Sequence, residues 1–347
     1  MYEYSSVIHV HSNYSDGSGE IPEIARYASE VGVDIVLMTD HNTLRPLKDG
    51  LEGWYGSTLV LIGTEINDQK NQNHYLAFGI NNTFDNRLTA AEYVRKVKEE
   101  GGIGFIAHPF EKRQHMKEHP PYPWTDWSTD DYDGIEIWNH MSEWMEGLTE
   151  QNKLQRFMHP LRTVEGPNEE ALKLWDKKSL ERKVVGIGGV DAHAYKQNMF
   201  GFFEVEIFPY KVLFKSVRTN LFTSEPLIKD ESKLEYNKKL VYEALKSGRC
   251  YVSNFYHADP KGFRFFAEAK GKVFHMGDTI PSDISELRLR VKIPEVVASI
   301  RLIKNGELID TVIGDEATWN VVNRGIYRVE VYFEDKPWIY SNHIRFI

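Results

Sequence analysis

The sequence predicts an α/β fold, a unit of parallel βα repeats followed by a smaller all-β region. Three observations carry this. Up to residue 257, short continuous apolar runs alternate with helical periods, the pattern of buried parallel strands covered by helices. From residue 258 the runs shorten and alternate apolar with polar residues, the period of antiparallel strands with one wet face. The chain has 347 residues, 41% of them hydrophobic and 27% charged, which suits a globular protein with substantial cores and not a disordered one. The expected division is therefore 1–257 and 258–347.

Residues 6–10 (SVIHV) read as the first strand. Pro22 sits near the start of a helix whose Ile21, Ile24, Ala25, Ala28 and Val31 follow the helical period, and Gly32 stops it. Residues 34–38 (DIVLM), 59–62 (LVLI) and 75–80 (YLAFGI) read as further strands. Thr89 and Glu92 have capping-box spacing and open a helix that ends at Gly101-Gly102. Residues 103–107 (IGFIA), 134–138 (GIEIW) and 184–190 (VVGIGGV) are strands, with a helix over 168–182. Residues 111–133, rich in Pro, Trp, His and charge, form a long excursion of the kind that shapes a site. A helix over 237–247 stops at Gly248. In the tail, FRFFAEA, LRLRVKI, SIRLIKN, ELIDTVI, YRVEVYF and NHIRFI are strands, Asn305-Gly306 marks a hairpin, and the set predicts an antiparallel β-sandwich.

Composition excludes several classes. Lys and Arg number 42 against 51 Asp and Glu, a net charge of −9; this argues against long nucleic acid or an anionic membrane as partner. The single cysteine, Cys250, reads as a packing residue and rules out an internal disulfide framework and cysteine-based zinc modules. No basic segment followed by an apolar stretch opens the chain, and no apolar run is long enough for a membrane span, so a cytoplasmic protein is expected. Nothing in the sequence indicates an oligomeric state.

Histidines and carboxylates gather just after the apolar runs. His9 and His11 end the first, Asp40 and His41 follow DIVLMT, and Glu65 follows LVLIGT. His108 follows GFIA, and Asp191 and His193 follow VVGIGGV. In parallel α/β barrels the strand C-termini converge on one rim, so these distant residues can meet. Alternation along a strand sends residues i and i+2 to one face, so HVH and DAH each deliver two groups to one side. Imidazole with carboxylate is a ligand set for Zn, Mn or Fe, and such ions bring the pKa of a bound water to about 7.

The ordered series HVHSNYSDGSG, LMTDHN, GTEI, HYLAFGI, IAHPF and GGVDAH resembles the polymerase and histidinol phosphatase (PHP) superfamily over about residues 7–193. The tail resembles the β-sandwich extension of some stand-alone members. The resemblance implies a distorted (β/α)7 barrel with two to three divalent ions, Zn, Mn or Fe. It implies His9, His11, Glu65 and Asp191 on the first ion, and Glu65 bridging to a second held also by His74 and His108. Asp16, His41 and His193 would hold a third, although Asp16 also reads as a turn aspartate. Asp40 is expected to orient a ligand, and His193 and His140 are candidates for proton transfer. His140, Lys112 and Arg113 are candidate substrate contacts, with solvated surface as the plainer reading of the two cations. His115, His119 and His159 read as loop or surface residues; Arg45 and Arg162 read either way. Trp124, Trp127, Trp138 and Trp144 either pack the excursion or line a pocket.

The expected activity is hydrolysis of a small phosphomonoester or phosphodiester by hydroxide generated at the metals. Attack on a carboxyl ester or carbamate by the same centre is one alternative. A binding module with structural metals, its sandwich presenting aromatics such as Trp319 and Trp338, is the other.

Overall fold

The computed structural model describes residues 1–113, 120–199, 203–294 and 296–347. His115 and His119 lie outside the described residues. The architecture is mixed α/β around one large sheet that continues into an all-β C-terminal region.

The first strand, Tyr2–Val10, lies inside that sheet, parallel to Ile35–Met38 and antiparallel to Val217–Thr223. Ile35–Met38 runs parallel to Thr58–Ile66, and Gly134–Asn139 runs parallel to both Ile103–Ile106 and Val185–Gly189. The expectation of parallel strands throughout is overturned between these two groups. Tyr75–Phe78 is antiparallel to Thr58–Ile66 on one side and to Ile103–Ile106 on the other. Residues 67–74 contain no helix, and a parallel neighbour needs a crossover of a dozen or more residues. Three backbone bonds bring the far end of this path back to the first strand. Val190 N donates to Ile8 O (3.1 Å), Ala192 N to His9 O (3.2 Å) and His11 N to Ala192 O (3.0 Å).

The apolar runs are continuous because both faces of the sheet are covered. Val36, Met38, Val60 and Ile62 belong to one buried cluster, while their alternating neighbours Ile35, Leu37, Leu59 and Leu61 belong to another. The helices Ile21–Glu30, Ala90–Glu99, Glu169–Glu181 and Leu234–Ser247 stand where their patterns predicted. Thr89 N donates to Glu92 Oε2 (2.8 Å), closing the capping box. Asn168 caps Glu169–Glu181 by accepting from Glu170 N (2.9 Å). Gly248 takes the left-handed conformation, φ +76°, that ends the last helix.

The C-terminal strands form two packed layers. Arg264–Ala269, Lys272–His275, Leu287–Lys292 and Glu316–Val321 make a separate four-stranded sheet. Ala298–Lys304, Glu307–Gly314, Gly325–Phe333 and Lys336–Ser341 extend the large sheet. Phe265, Leu289 and Val291 of one layer share a buried cluster with Ile300, Val329 and Ile339 of the other. Asn305 and Gly306, at φ 53° and 88°, make the expected turn between Ala298–Lys304 and Glu307–Gly314. Lys336–Ser341 pairs directly with Cys250–Asn254, so the large sheet passes without a break across residue 258. Among the described residues no helix is long and apolar enough to cross a membrane.

Candidate metal centre

The centre begins with backbone strain. The register of the first strand slips between Ile8 and Val10, and His9 between them has φ 67°. Regular alternation, which was to aim His9 and His11 together, is therefore broken, and a bulge does the aiming instead. His108 (φ 25°) and Asp191 (φ 56°) also occupy the left-handed region. Non-glycine residues held there cost on the order of 1–3 kcal/mol each and persist only where the surrounding fold imposes them.

Glu65 is the hub, on the buried strand Thr58–Ile66. Its Oε2 lies 3.0 Å from His9 Nε2, 3.2 Å from His11 Nε2 and 3.4 Å from His41 Nδ1. Its Oε1 lies 2.7 Å from His74 Nδ1 and 3.3 Å from His108 Nε2. Asp191 Oδ1 sits 3.4 Å from His9 Nε2, 3.5 Å from His11 Nε2 and 3.6 Å from His193 Nδ1. Asp16 Oδ1 is 3.3 Å from His193 Nε2, and its Oδ2 is 3.7 Å from His41 Nε2. All nine residues expected at the metals thus meet in one place. Their ligand atoms fall into four overlapping groups: His9 with His11 and Asp191; His9 with Glu65 and His108; His41 with Glu65 and His74; and His11 with Asp16, His41 and His193. His74 is grouped with His41, and His11 joins two groups, an arrangement the implied ligand sets did not contain.

These residues fit metal ions. Both ring nitrogens of His11, Nδ1 of His41, Nε2 of His74 and Nδ1 of His108 are buried without a hydrogen-bond partner, a costly state unless a further ligand meets them. Among the described residues no Lys or Arg forms an ion pair with Glu65, Asp191 or Asp16. Burial would lower the imidazole pKa values, but Asp191 and Glu65 outweigh it at His11, which is raised to about 9. Glu111 and Glu65 do the same at His108, also about 9. His41, where burial wins, falls to about 3.

Outer partners set the tautomers. His193 Nδ1 donates to the Asp191 carbonyl (3.0 Å), which leaves Nε2 with a lone pair toward Asp16. His9 Nδ1 meets Glu136 Oε1 at 2.9 Å, which frees its Nε2 toward Glu65. Glu136 also accepts from His108 N and from Asn139 Nδ2, both at 2.9 Å. Asp40 reaches no ligand group. It accepts from Ser12 N (2.8 Å), Ser12 Oγ (2.8 Å) and Ser15 Oγ (2.7 Å), and so braces the loop that carries Asp16. It therefore orients the loop that carries Asp16, where an orienting contact to a ligand side chain or a part in the chemistry was expected.

A cavity of about 560 Å³ opens on the centre. Arg113 lines it, its guanidinium held by Glu111 (Nε to Oε1, 2.9 Å) and lying over the Tyr122 ring. Two other expectations fail. His140 is fully buried, opens the helix His140–Glu146 instead of ending a strand, and does not line the cavity. Burial, with Arg156 nearby, lowers its pKa to about 3, so it is no ready proton donor. Lys112 pairs with Glu170 (2.8 Å) outside the cavity. Of the tryptophans only Trp144 lines the cavity; Trp124 packs on Tyr75 and Tyr93, and Trp138 is buried. His159, Arg45 and Arg162 are exposed. Cys250 is buried, which pushes its thiol pKa up.

Sequence reasoning missed Glu136, Tyr195 and Tyr122. Glu136 did carry a signal: an acid inside the apolar run GIEIW must be paired once buried. Tyr195 OH donates to Asp16 Oδ2 (2.7 Å) and its ring stacks on His193. Tyr122 stacks on His74. Neither tyrosine had a local signature.

Residues 8–117 match the model of the PHP domain. An uncharacterized protein of Methanocaldococcus jannaschii is 29% identical over 116 residues, 30% of this chain; the match spans 66% of that relative's length. A two-domain protein of Bacteroides vulgatus containing a predicted PHP-like metal-dependent phosphoesterase superposes with a TM-score of 0.45 at 15% identity, over 99% of this chain and 95% of that one. PsfC of Pseudomonas syringae superposes with a TM-score of 0.43 at 12% identity, over 68% of this chain and 88% of that one.

Proposed function

From a chain that carries a PHP domain, we propose a metal-dependent phosphoesterase acting on a small-molecule phosphomonoester or small phosphodiester. Residues 1–257 would be the catalytic unit, folded as a distorted (β/α)7 barrel, and 258–347 a sandwich that braces it. One observation carries the reading: five imidazoles surround the buried Glu65 carboxylate, and among the described residues no Lys or Arg pairs with it.

Two to three divalent ions, Zn, Mn or Fe, would supply Lewis-acid polarisation of phosphoryl oxygens and a water ionised near neutral pH. His9, His11, Glu65 and Asp191 would hold one, Glu65, His74 and His108 a second, and Asp16, His41 and His193 a third. Glu136 fixes the His9 tautomer, and the Asp191 carbonyl fixes that of His193. Arg113, oriented by Glu111, is placed to meet an anionic substrate from the cavity side.

The test is reconstitution. Metal-stripped protein regains hydrolysis of an aryl phosphate when Mn or Zn is added, with two to three equivalents bound. Protein that binds the metals and yet hydrolyses no member of a mono- and diester panel overturns the reading. A second reading, carboxyl-ester hydrolysis, has an observation of its own. Among the described residues the cavity's only Lys and Arg are Arg113 and Lys153, and both already pair with glutamates. Matched phosphate and carboxyl esters of one phenol separate the two.

A further inference from the structure

The cavity has two chemically opposed sides. One is the metal centre. The other is built by the helices His140–Glu146 and Lys153–Met158 and the link between them: Met141, Trp144, Met145, Leu148, Leu154 and Phe157. We propose that the substrate carries an apolar chain or ring that lies on this wall while its phosphoryl group meets the centre; the head-group half of this statement rests on the phosphoesterase reading.

The wall is the face of the core that borders the cavity: Trp144 and Leu148 belong to the main buried cluster, and Met141, Met145 and Phe157 pack against it. Trp144 and Phe157 are pinned from behind by the buried Phe208, with ring centroids 5.0 and 5.8 Å away, so they are fixed in place and yet face the cavity. Leu154 is 73% exposed at the rim, where an apolar side chain gains nothing from water but would gain from a covering ligand. The one polar atom of the Trp144 ring is already used, since Nε1 donates to Arg156 O at 3.0 Å. The wall therefore offers contact area and no donor from its indole. A volume of about 560 Å³ is that of a pocket for a drug-sized ligand, with room well beyond a bare phosphate.

The experiment measures binding, not turnover. Mn-loaded protein is titrated by calorimetry with n-alkylphosphonates from methyl to octyl, and with n-alkanoates of the same lengths. Affinity is expected to rise about fourfold for each methylene the wall covers. Leu154→Ser, at an exposed position where folding is indifferent, and Phe157→Ser should flatten that rise while leaving the methylphosphonate affinity unchanged. Affinities that do not depend on chain length in either series overturn the proposal, as does a rise that both variants leave intact. Phosphonates that fail to bind at every length, beside alkanoates that tighten with length, overturn the phosphoesterase reading and keep the apolar wall.

Discussion

Two buried clusters in this chain pair carboxylates with imidazoles, and they are closed in different ways. In one, Asp176 on helix Glu169–Glu181 receives Arg328 through two bonds, Nε to Oδ1 and Nη2 to Oδ2, both 2.8 Å. His343 Nε2 lies 2.7 Å from Asp176 Oδ1, and Arg328 Nη1 donates to Glu330 Oε1 (2.6 Å). In the other, Glu65 meets imidazoles alone, and Asp191 meets imidazoles and the Asn139 amide (3.4 Å). A buried carboxylate needs a compensating positive charge. The first cluster takes it from an arginine on a C-terminal strand, and so ties that region to the helix packed on Gly134–Asn139. The second has no such residue, which marks it as a place for imported cations.

Breaking the hub should have the largest effect. Glu65→Ala is expected to lose most bound metal and all measurable hydrolysis while keeping its far-ultraviolet circular dichroism; elemental analysis and activity decide this together. Asp176→Ala should do the reverse. It removes two of the three carboxylate bonds of the buried Arg328 guanidinium, leaving Glu330, and should cost about 3 kcal/mol of stability in urea unfolding, with metal content per folded molecule unchanged. If Asp176→Ala instead strips the metals, the two clusters are not independent.

Glu136→Gln tests the supporting layer. It weakens the partner that orients His9 and should reduce metal affinity about 10–100-fold, read by competition with a chelator. The two clusters should also answer pH oppositely. Asp176 is buried, which would raise its pKa, but Arg328 and His343 hold it well below its ordinary 3.8. Its stabilisation is present above that value and is lost as pH falls through the native-state value. His11 and His108, raised from 6.5 to about 9, stabilise the metal-free protein fully below 6.5 and lose that contribution as pH rises through about 9. Urea midpoints across pH should show an alkaline loss in metal-free protein only, because bound ions displace those protons. Tyr195→Phe should have the smallest effect. It removes one hydrogen bond to the part-exposed Asp16, about 1 kcal/mol, and should lower occupancy of the ion nearest Asp16 a few-fold.

The legible features were local ones. The helix cap at Thr89, the helix stop at Gly248 and the Asn305-Gly306 turn each depend on a few neighbouring residues and were read correctly. Seven of the nine residues of the candidate centre were legible from a recurring position just after an apolar run, while Asp16 and His74 came only from the resemblance of the ordered motifs. His140 shared that position and was misread, because its strand ends one residue earlier and Asn139 begins a helix. The antiparallel placing of Tyr75–Phe78 was not legible, since an apolar run carries no direction.

By itself, then, the sequence determined many of the strands and helices, though not Val217–Thr223, Cys250–Asn254, His140–Glu146 or Lys153–Met158, and which imidazoles and carboxylates stand beside them. Those choices follow from periodicity and from backbone demands met within a few residues. Tertiary structure alone decided strand direction, the grouping of ligands around Glu65, the apolar wall across from it, and which buried carboxylate receives an arginine. Glu136 reaches His9 across 127 positions and Asp176 reaches Arg328 across 152. Pairings at that distance are selected by the packing of whole elements, and no short stretch of sequence records them.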